Sequence, residues 1–450
     1  MANEKSRTRG SFSSSIGFIL SAAGSAIGLG NLWKFPYIAG STGGGVFLLF
    51  YIIFTIVLGI PIILAEIAIG RKTQLSSVAA YEKLHKGYGF IGAIGVICGF
   101  ILLSYYSVVG GWIIKYIIIY GSDGNLGRDK SGYFNNFVAS SVEPVTWHLI
   151  FMIVCAIIVL CGIHNGIEKA SGIMMPALFV MIIILAIRAV MLDGAVEGLK
   201  FLFIPNKTSF NSLSDLANSI VQAMGQVFFS LSLGIGITIT YGSYLKKESN
   251  IQKDTVIIAV LDTIMAVLAG ILVMSAVFSF GIEPSSGPGL IFGALPTVFD
   301  AMPFGAVIGF IFFVLVFFAA ITSAMALLEA IVSYLVDSRG WSRAKSTVWT
   351  AATIVIAGTF VALSMSDLSD EVLFGINLFD VFGFFTDKVL MPLSALLMCI
   401  FVGHIIGVDG IADEIEIGSK GFRLRGAFEV IIKYVAPVFI VFIFVMGFIK

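Results

Sequence analysis

The first apolar segment of the chain reads Ser21-Ala-Ala-Gly-Ser-Ala-Ile-Gly-Leu-Gly-Asn-Leu-Trp-Lys-Phe-Pro36. Its centre holds Gly24, Gly28 and Gly30, where a simple membrane anchor carries leucine or isoleucine. A later segment repeats this pattern and reads Gln226-Val-Phe-Phe-Ser-Leu-Ser-Leu-Gly-Ile-Gly-Ile-Thr238. Non-helical backbone at membrane depth is tolerated only where it is buried in protein or lines a cavity. Two such breaks therefore predict a polar cavity near the centre of a membrane.

Close helix packing is the alternative explanation for glycines in apolar helices. That explanation suffices for Gly110 and Gly111, but it does not account for the polar residues Asn31, Ser230 and Ser232 beside the breaks. Polar side chains are expensive at this depth and mark substrate or ion pathways. We therefore favour the cavity.

Composition places the whole chain in a membrane. Of its 450 residues, 58% are hydrophobic and only 12% are charged, whereas soluble proteins carry roughly 25% charged residues. The 27 basic residues balance the 27 acidic ones, so charge gives no reason to expect a nucleic acid partner. Neither the 4 cysteines nor the 4 histidines show paired metal-ligand spacing, and we expect no disulfide framework, no zinc site and no enzyme.

A membrane-spanning helix needs roughly 20 mostly apolar residues. The sequence predicts eleven spans, at 13–38, 46–70, 89–120, 147–164, 172–192, 217–244, 254–281, 305–337, 345–365, 378–405 and 428–449. Lysines and arginines concentrate in the loops on the side of the N-terminus. By the positive-inside rule, this predicts a cell-membrane protein with a cytoplasmic N-terminus and an extracellular C-terminus.

The order of the spans predicts an internal repeat. Each break opens a set of five spans, and because five is odd, the second set repeats the first upside down. We expect a cytoplasmic tail (1–12), a first five-helix repeat (13–193), an extracellular loop (194–216), an inverted second five-helix repeat (217–405), a cytoplasmic loop (406–427) and an eleventh transmembrane helix (428–450). Inverted repeats with broken helices at matching positions are the architecture of many secondary transporters.

Four stretches of the chain resemble the neurotransmitter:sodium symporter family. They are Gly28-Leu-Gly-Asn-Leu-Trp-Lys-Phe-Pro36, Gly59-Ile-Pro61 with Glu66 and Gly70-Arg71, Phe228-Phe-Ser-Leu-Ser-Leu-Gly234, and Gly287-Pro-Gly-Leu-Ile-Phe292 with Leu295-Pro296. They follow the family's order over nearly the entire chain. The resemblance implies an all-α polytopic membrane protein with a LeuT-type 5+5 inverted repeat, broken helices 1 and 6 and an eleventh helix. It further implies a bacterial carrier that imports a neutral apolar or aromatic amino acid with sodium by alternating access.

The resemblance also implies two sodium sites, because sodium is a hard cation and unwound helix offers oxygen ligands. The first would use the carbonyl of Ala26 and the side chains of Asn31, Ser230 and Asp262, together with the substrate carboxylate. The second would use the carbonyls of Gly24, Ile27 and Ala319 and the hydroxyls of Thr322 and Ser323. Without the resemblance, those two hydroxyls are explained as well by bonds to carbonyls one turn back.

In the implied substrate site, the carboxylate meets the backbone N–H groups of Leu29 and Gly30 and the hydroxyl of Tyr106. The other implied contacts are Ala26, Gly28, Leu102, Phe229, Ser230, Ser232, Ile235, Ser323 and Leu327. Family members that carry monoamines have an aspartate at the position of Gly28, which replaces the missing substrate carboxylate. Glycine at this position implies a substrate that brings its own carboxylate.

Gates on both sides of the cavity are implied too. The outer gate would pair Lys34 with Asp380 above an aromatic lid of Phe229 and Tyr106; the cytoplasmic gate would use Arg9, Asp337, Phe12, Tyr244 and Glu329. Glu66 would face the freed N–H groups of both breaks, and Gly166 and Pro176 would let the inner end of span 5 unwind.

Chloride-dependent relatives hold the anion in a frame that this chain resembles at Tyr51, Gln226 and Ser230. Asp262 replaces a neutral side chain of those relatives, so its carboxylate can balance the bound cations, and we expect transport without chloride or an organic cofactor. A proton-driven amino-acid carrier and a non-transporting amino-acid receptor of the same fold stay open as alternatives. The choice of amino acid, the sodium stoichiometry, proton counter-transport and the oligomeric state also stay open.

Overall fold

The computed structural model describes residues 10–124, 126–127, 129–205, 212–282, 289–366, 368 and 376–449. Helices dominate these ranges, and the one β contact found in them is an isolated bridge between Gly44 and Pro205. Nine of the described helices are long and apolar enough to cross a membrane. They are Gly45–Thr73, Gly89–Ser122, Glu143–Leu160, Ile163–Val190, Ile251–Ser279, Gly305–Arg339, Arg343–Leu363, Leu378–Ile405 and Arg425–Phe448, numbered below as spans 2 to 5 and 7 to 11.

Span 1 is broken in its middle. Its halves, Ser15–Ala26 and Gly30–Ser41, meet at an angle of 48°. Ser14 caps the first half, because its side chain accepts a hydrogen bond from the backbone N–H of Gly17 at 3.0 Å. The first half ends where Ile27 adopts an extended conformation, which frees backbone groups at the break.

Span 6 is broken as well, into Leu213–Ser230 and Ile237–Gly242. Between the halves, Gly234 and Gly236 have φ values of 80° and 84°, in the left-handed region that glycine adopts without strain. For this reason span 6 does not appear among the continuous apolar helices. The eleven predicted segments are thus nine continuous helices and two broken ones within the described chain.

Three of the spans contain π-helical segments that bear on the site. These segments are Gly30–Lys34 in span 1, Ile163–Glu168 in span 5 and Phe385–Leu390 in span 10. A π segment inserts a residue, and one residue corresponds to about 100° of rotation in an α-helix. Each segment therefore changes which side chains face the interior.

Short helices cover the ends of the bundle. They are Ser77–Leu84, Lys130–Val138, Ala195–Phe203, Leu290–Asp300 and Asp409–Glu416. We call the face that carries Ser13 and the loop 243–250 the inner face, and the opposite face the outer face.

Glycine permits close contact where the spans meet: a Cβ added to Gly70 in span 2 would lie 1.9 Å from the carbonyl oxygen of Ile239 in span 6.

A fully buried arginine joins spans 2 and 6 at the inner face. The Nε of Arg71 donates to Glu414 at 2.8 Å, and its Nη1 donates to the carbonyls of Lys247 at 3.4 Å and Ser249 at 2.5 Å. Lys247 pairs with the same Glu414 at 2.9 Å. The helix Asp409–Glu416 is therefore tied to the end of span 2 and to the loop that follows span 6.

Candidate functional site

A small cavity lies where the two broken spans meet span 3 and span 8. Its lining consists of Ser25, Ala26, Gly28, Leu29, Gly30, Leu102, Tyr106, Phe229, Ser232, Ile237, Ser323 and Leu327. None of these described lining residues is charged. The walls combine apolar side chains with hydroxyls, which suits a small neutral molecule that has one polar end.

The polar end of the cavity lies at the break in span 1. The backbone N–H of Leu29 donates to the hydroxyl of Tyr106 at 3.2 Å. A Cβ added to Gly28 would lie 2.5 Å from the Oγ of Ser323 and 2.9 Å from the hydroxyl of Tyr106. These groups converge on one side of Gly28, as the sequence predicts, and a side chain at this position would occupy the space between them.

The cavity lining differs from the prediction at one wall residue. The cavity is lined by Ile237, whereas Ile235 packs against span 3, with its Cγ2 at 3.3 Å from a Cβ added to Gly99. The backbone around Ile235 is irregular, because Gly234 and Gly236 on either side of it both have positive φ.

A buried polar cluster lies beside the cavity, around Asp262 of span 7. Its carboxylate accepts hydrogen bonds from Asn31 at 2.8 Å, from Ser230 at 2.9 Å and from Tyr51 at 2.9 Å. Gln226 donates to the carbonyl of Gly30 at 2.8 Å. The structure thus brings Asn31, Ser230 and Asp262 of the predicted first sodium site together with Tyr51, whereas Ala26 lines the cavity. Ser230, which was also predicted to touch the substrate, belongs to this cluster and not to the cavity lining.

Gly24, Ala319, Thr322 and Ser323 of the predicted second sodium site lie where span 1 meets span 8. The hydroxyl of Ser323 donates to the carbonyls of Gly24 at 3.3 Å and Ser25 at 3.0 Å. The hydroxyl of Thr322 donates to the carbonyls of Phe318 at 2.8 Å and Ala319 at 3.1 Å, within its own helix. Carbonyl and hydroxyl oxygens are the ligands that a hard cation prefers. No group of three or more His, Cys, Asp or Glu side chains that could hold a metal ion occurs among the described residues.

The outer gate differs from the prediction. Lys34 pairs with Asp387 at 2.5 Å, and its ammonium lies 4.0 Å from the centre of the Phe229 ring. Asp380, the predicted partner, is exposed in the first turn of span 10, where its backbone N–H bonds the Asn377 cap at 2.8 Å. Asp387 lies two turns deeper, on the π segment Phe385–Leu390. Thr386 holds its carboxylate with a hydrogen bond of 3.1 Å.

At the inner gate, the buried Phe12 packs edge-on against Phe18, Tyr241 and Tyr244. The Tyr244 hydroxyl donates to the buried Glu329 at 2.6 Å, as predicted, but Glu329 is also paired with Arg343 at 2.5 Å.

Arg343 is not among the gate residues predicted from the sequence, because its contact with Glu329 depends on the approach of span 9 to span 8. Asp337 accepts a hydrogen bond from the backbone N–H of Ser76 at 2.7 Å. Arg9 lies outside the described residues.

Glu66 lies at the second break only. It accepts hydrogen bonds from the backbone N–H of Gly234 at 2.9 Å and from the hydroxyl of Thr238. The sequence predicted contacts with both breaks.

Gly166 and Pro176 lie at the inner end of span 5, with Gly166 inside a π segment and Pro176 inside the following α-helix.

Comparisons with known proteins find similar membrane transporters. A model described as the Sodium:neurotransmitter symporter family matches residues 9–123 and 137–450. The chain is 39% identical to YhdH of Bacillus subtilis (strain 168), an uncharacterized sodium-dependent transporter, over 440 residues that cover 96% of each chain. It is 36% identical to an uncharacterized sodium-dependent transporter of Haemophilus influenzae over 455 residues, or 98% of each chain.

A solved structure shows the same fold. The crystal structure of MhsT in complex with L-phenylalanine matches with a TM-score of 0.90 and 38% identity, and the match covers 98% of this chain and 100% of that one. The predicted all-helical LeuT-type architecture is therefore confirmed.

Proposed function

Because this chain belongs to the sodium:neurotransmitter symporter family, we propose that it imports a neutral apolar or aromatic amino acid together with sodium and without chloride. The chain is a sodium-dependent, multi-pass membrane transporter and not an enzyme. We further propose that the inner face is cytoplasmic and that transport proceeds by alternating access of the cavity to the two faces.

One observation carries the choice of substrate: the cavity has a polar end at the break in span 1 and apolar walls. Helix N-termini bind carboxylates through backbone N–H groups, and at this end the N–H of Leu29 donates to the hydroxyl of Tyr106. Leu102, Ile237 and Leu327 then face the substrate side chain. The structure of MhsT contains L-phenylalanine, and a site of this chemistry suits a substrate of the same class.

The two oxygen-rich clusters supply the proposed sites for the transported sodium ions. The Asp262 cluster adjoins the carboxylate end of the cavity, and the oxygens around Ser323 lie next to it. A tenfold sodium gradient supplies about 1.4 kcal/mol per ion, and a membrane potential of about 100 mV adds about 2.3 kcal/mol per charge. Two ions suffice to concentrate a neutral zwitterion.

Uptake of labelled L-phenylalanine and L-leucine into vesicles that contain the purified protein tests this function. We expect uptake with an inward sodium gradient and none when potassium or choline replaces sodium. Replacement of chloride by gluconate should leave uptake unchanged. Undiminished uptake in potassium medium would contradict sodium coupling. Binding without uptake would favour the receptor.

A further inference from the structure

Two carboxylates from different spans hold the start of span 1 at the inner face. Glu168 in span 5 accepts hydrogen bonds from the backbone N–H of Ser13 at 3.0 Å and from the Ser13 hydroxyl. Asp254 in span 7 accepts a hydrogen bond from the hydroxyl of Ser15 at 2.9 Å. Both acids are buried. Because a helix N-terminus carries a partial positive charge, each carboxylate stabilises the first turn of span 1 in this position.

The contact with Glu168 depends on a glycine. A Cβ added to Gly17 would lie 1.8 Å from the Oε1 of Glu168, so an alanine at this position would displace the carboxylate from the first turn. His164 approaches the same carboxylate with its Nδ1 at 2.9 Å. The absence of a side chain at Gly17 is therefore what allows span 5 to touch span 1 through a charged group.

Glu168 lies on an irregular part of span 5. It is the last residue of the π segment Ile163–Glu168, which follows Gly162 with a φ of 86°. Conversion of this segment to α-helix, or its unwinding, would rotate Glu168 by about 100° or more. Either change would remove the carboxylate from Ser13.

We propose that Glu168 and Asp254 are positioning residues that form an inner carboxylate latch. The latch keeps the inner half of span 1 closed, and it releases when the inner end of span 5 unwinds. It adds spans 5 and 7 to the gate formed by Phe12, Tyr244 and Glu329. The inference rests on the proposed transport function, because it concerns the opening step that delivers sodium and amino acid to the inner side.

A cysteine reporter on span 1 measures this opening. Ser21 is fully buried on the inner half of span 1, so Ser21→Cys reacts with a water-soluble maleimide only when that half moves. Cys161 is exposed, whereas the other three cysteines are buried, and the full-length protein therefore also carries Cys161→Ala. In sodium, we expect Glu168→Gln and Asp254→Asn each to accelerate alkylation on the order of tenfold, since each amide keeps one acceptor oxygen but loses the negative charge that strengthens the hydrogen bonds.

Three further variants separate the latch from general destabilisation. Gly17→Ala keeps both charges and improves helix propensity, yet it should accelerate alkylation at least as much as Glu168→Gln, because it displaces the whole side chain of Glu168. The two changes together should fall short of the product of their separate effects. Combining Glu168→Gln with Asp254→Asn should raise the alkylation rate by about the product of the two separate fold increases. Glu197→Gln, on the exposed short helix Ala195–Phe203, should match the parent protein.

Unchanged alkylation in Glu168→Gln and Asp254→Asn proteins that melt at the parent temperature would overturn the latch. Full multiplication of the Gly17→Ala and Glu168→Gln effects would overturn it too. Where Asp254→Asn fails to fold, Ser15→Ala tests the same contact. The alkylation rate of Ser21→Cys can be measured whether or not the protein transports a substrate. If the variants alkylate faster but sodium does not change the alkylation rate of the parent protein, the latch is supported and the sodium-coupled function is contradicted.

Discussion

Asp262 places a buried carboxyl group beside the cavity. Its carboxylate accepts hydrogen bonds from Asn31, Tyr51 and Ser230, and a buried carboxylate without a compensating cation is costly. We expect Asp262→Ser to lose uptake in chloride-free gluconate medium and to be stimulated by added chloride, while the wild type is indifferent to chloride. Uptake in matched gluconate and chloride media measures this. A chloride requirement of the wild type, or full chloride-indifferent activity of the variant, would remove Asp262 from this role.

The outer gate gives a second prediction at the scale of single residues. Lys34 and Asp387 are both partly exposed, with side-chain exposures of 28% and 24%, so their pair is worth about 1 kcal/mol. We expect Asp387→Asn to speed dissociation of the bound amino acid about fivefold, as measured by chase of a labelled amino acid. Asp380→Asn serves as the matched control and should leave the rate unchanged. Faster release in Asp380→Asn but not in Asp387→Asn would instead support the predicted pair of Lys34 and Asp380.

At the scale of helices, the break in span 6 depends on Glu66. Glu66→Ala leaves the N–H of Gly234 without its acceptor inside the membrane, which costs about 1–3 kcal/mol. We expect the Ala variant to melt a few degrees below the wild type in detergent. Glu66→Gln keeps one acceptor oxygen and should lose less. Equal melting of the wild type and the Ala variant would show that another group satisfies the break.

Helix positions could be predicted from the sequence, but which side chains face the interior at π segments and breaks could not. Apolar runs and central glycines locate the spans and both breaks, because length and hydropathy are properties of the sequence alone. The partner of Lys34 in the structure depends on the π segment around Asp387, and the cavity lining at the second break depends on backbone in which Gly234 and Gly236 have positive φ. The first is a rotation about a helix axis and the second is a non-helical turn, and no residue pattern in this chain indicates either. Arg343 and Glu168 act across spans that are distant in sequence, and their partners emerge only from packing.

For the whole molecule, sodium should stabilise the fold, because it binds the folded protein and not the unfolded chain. At about 100 times its Kd, a ligand adds about 2.7 kcal/mol per site to the free energy of unfolding. We expect the melting temperature to rise with sodium and not with equal concentrations of potassium. Thr322→Ala with Ser323→Ala should remove part of this rise and leave the part that belongs to the Asp262 cluster. A sodium response identical to that of the wild type would place the second ion elsewhere.

The two acids that hold Ser13 and Ser15 also bear on leakage. They belong to separate helices, and each makes its own contact with the start of span 1. If each contact is open about one time in a hundred, and the two open independently, both are open about one time in ten thousand. Opening of one contact by a thermal fluctuation then rarely lets sodium cross without an amino acid. A carrier built in this way spends little of its sodium gradient on slippage, even when no amino acid is present.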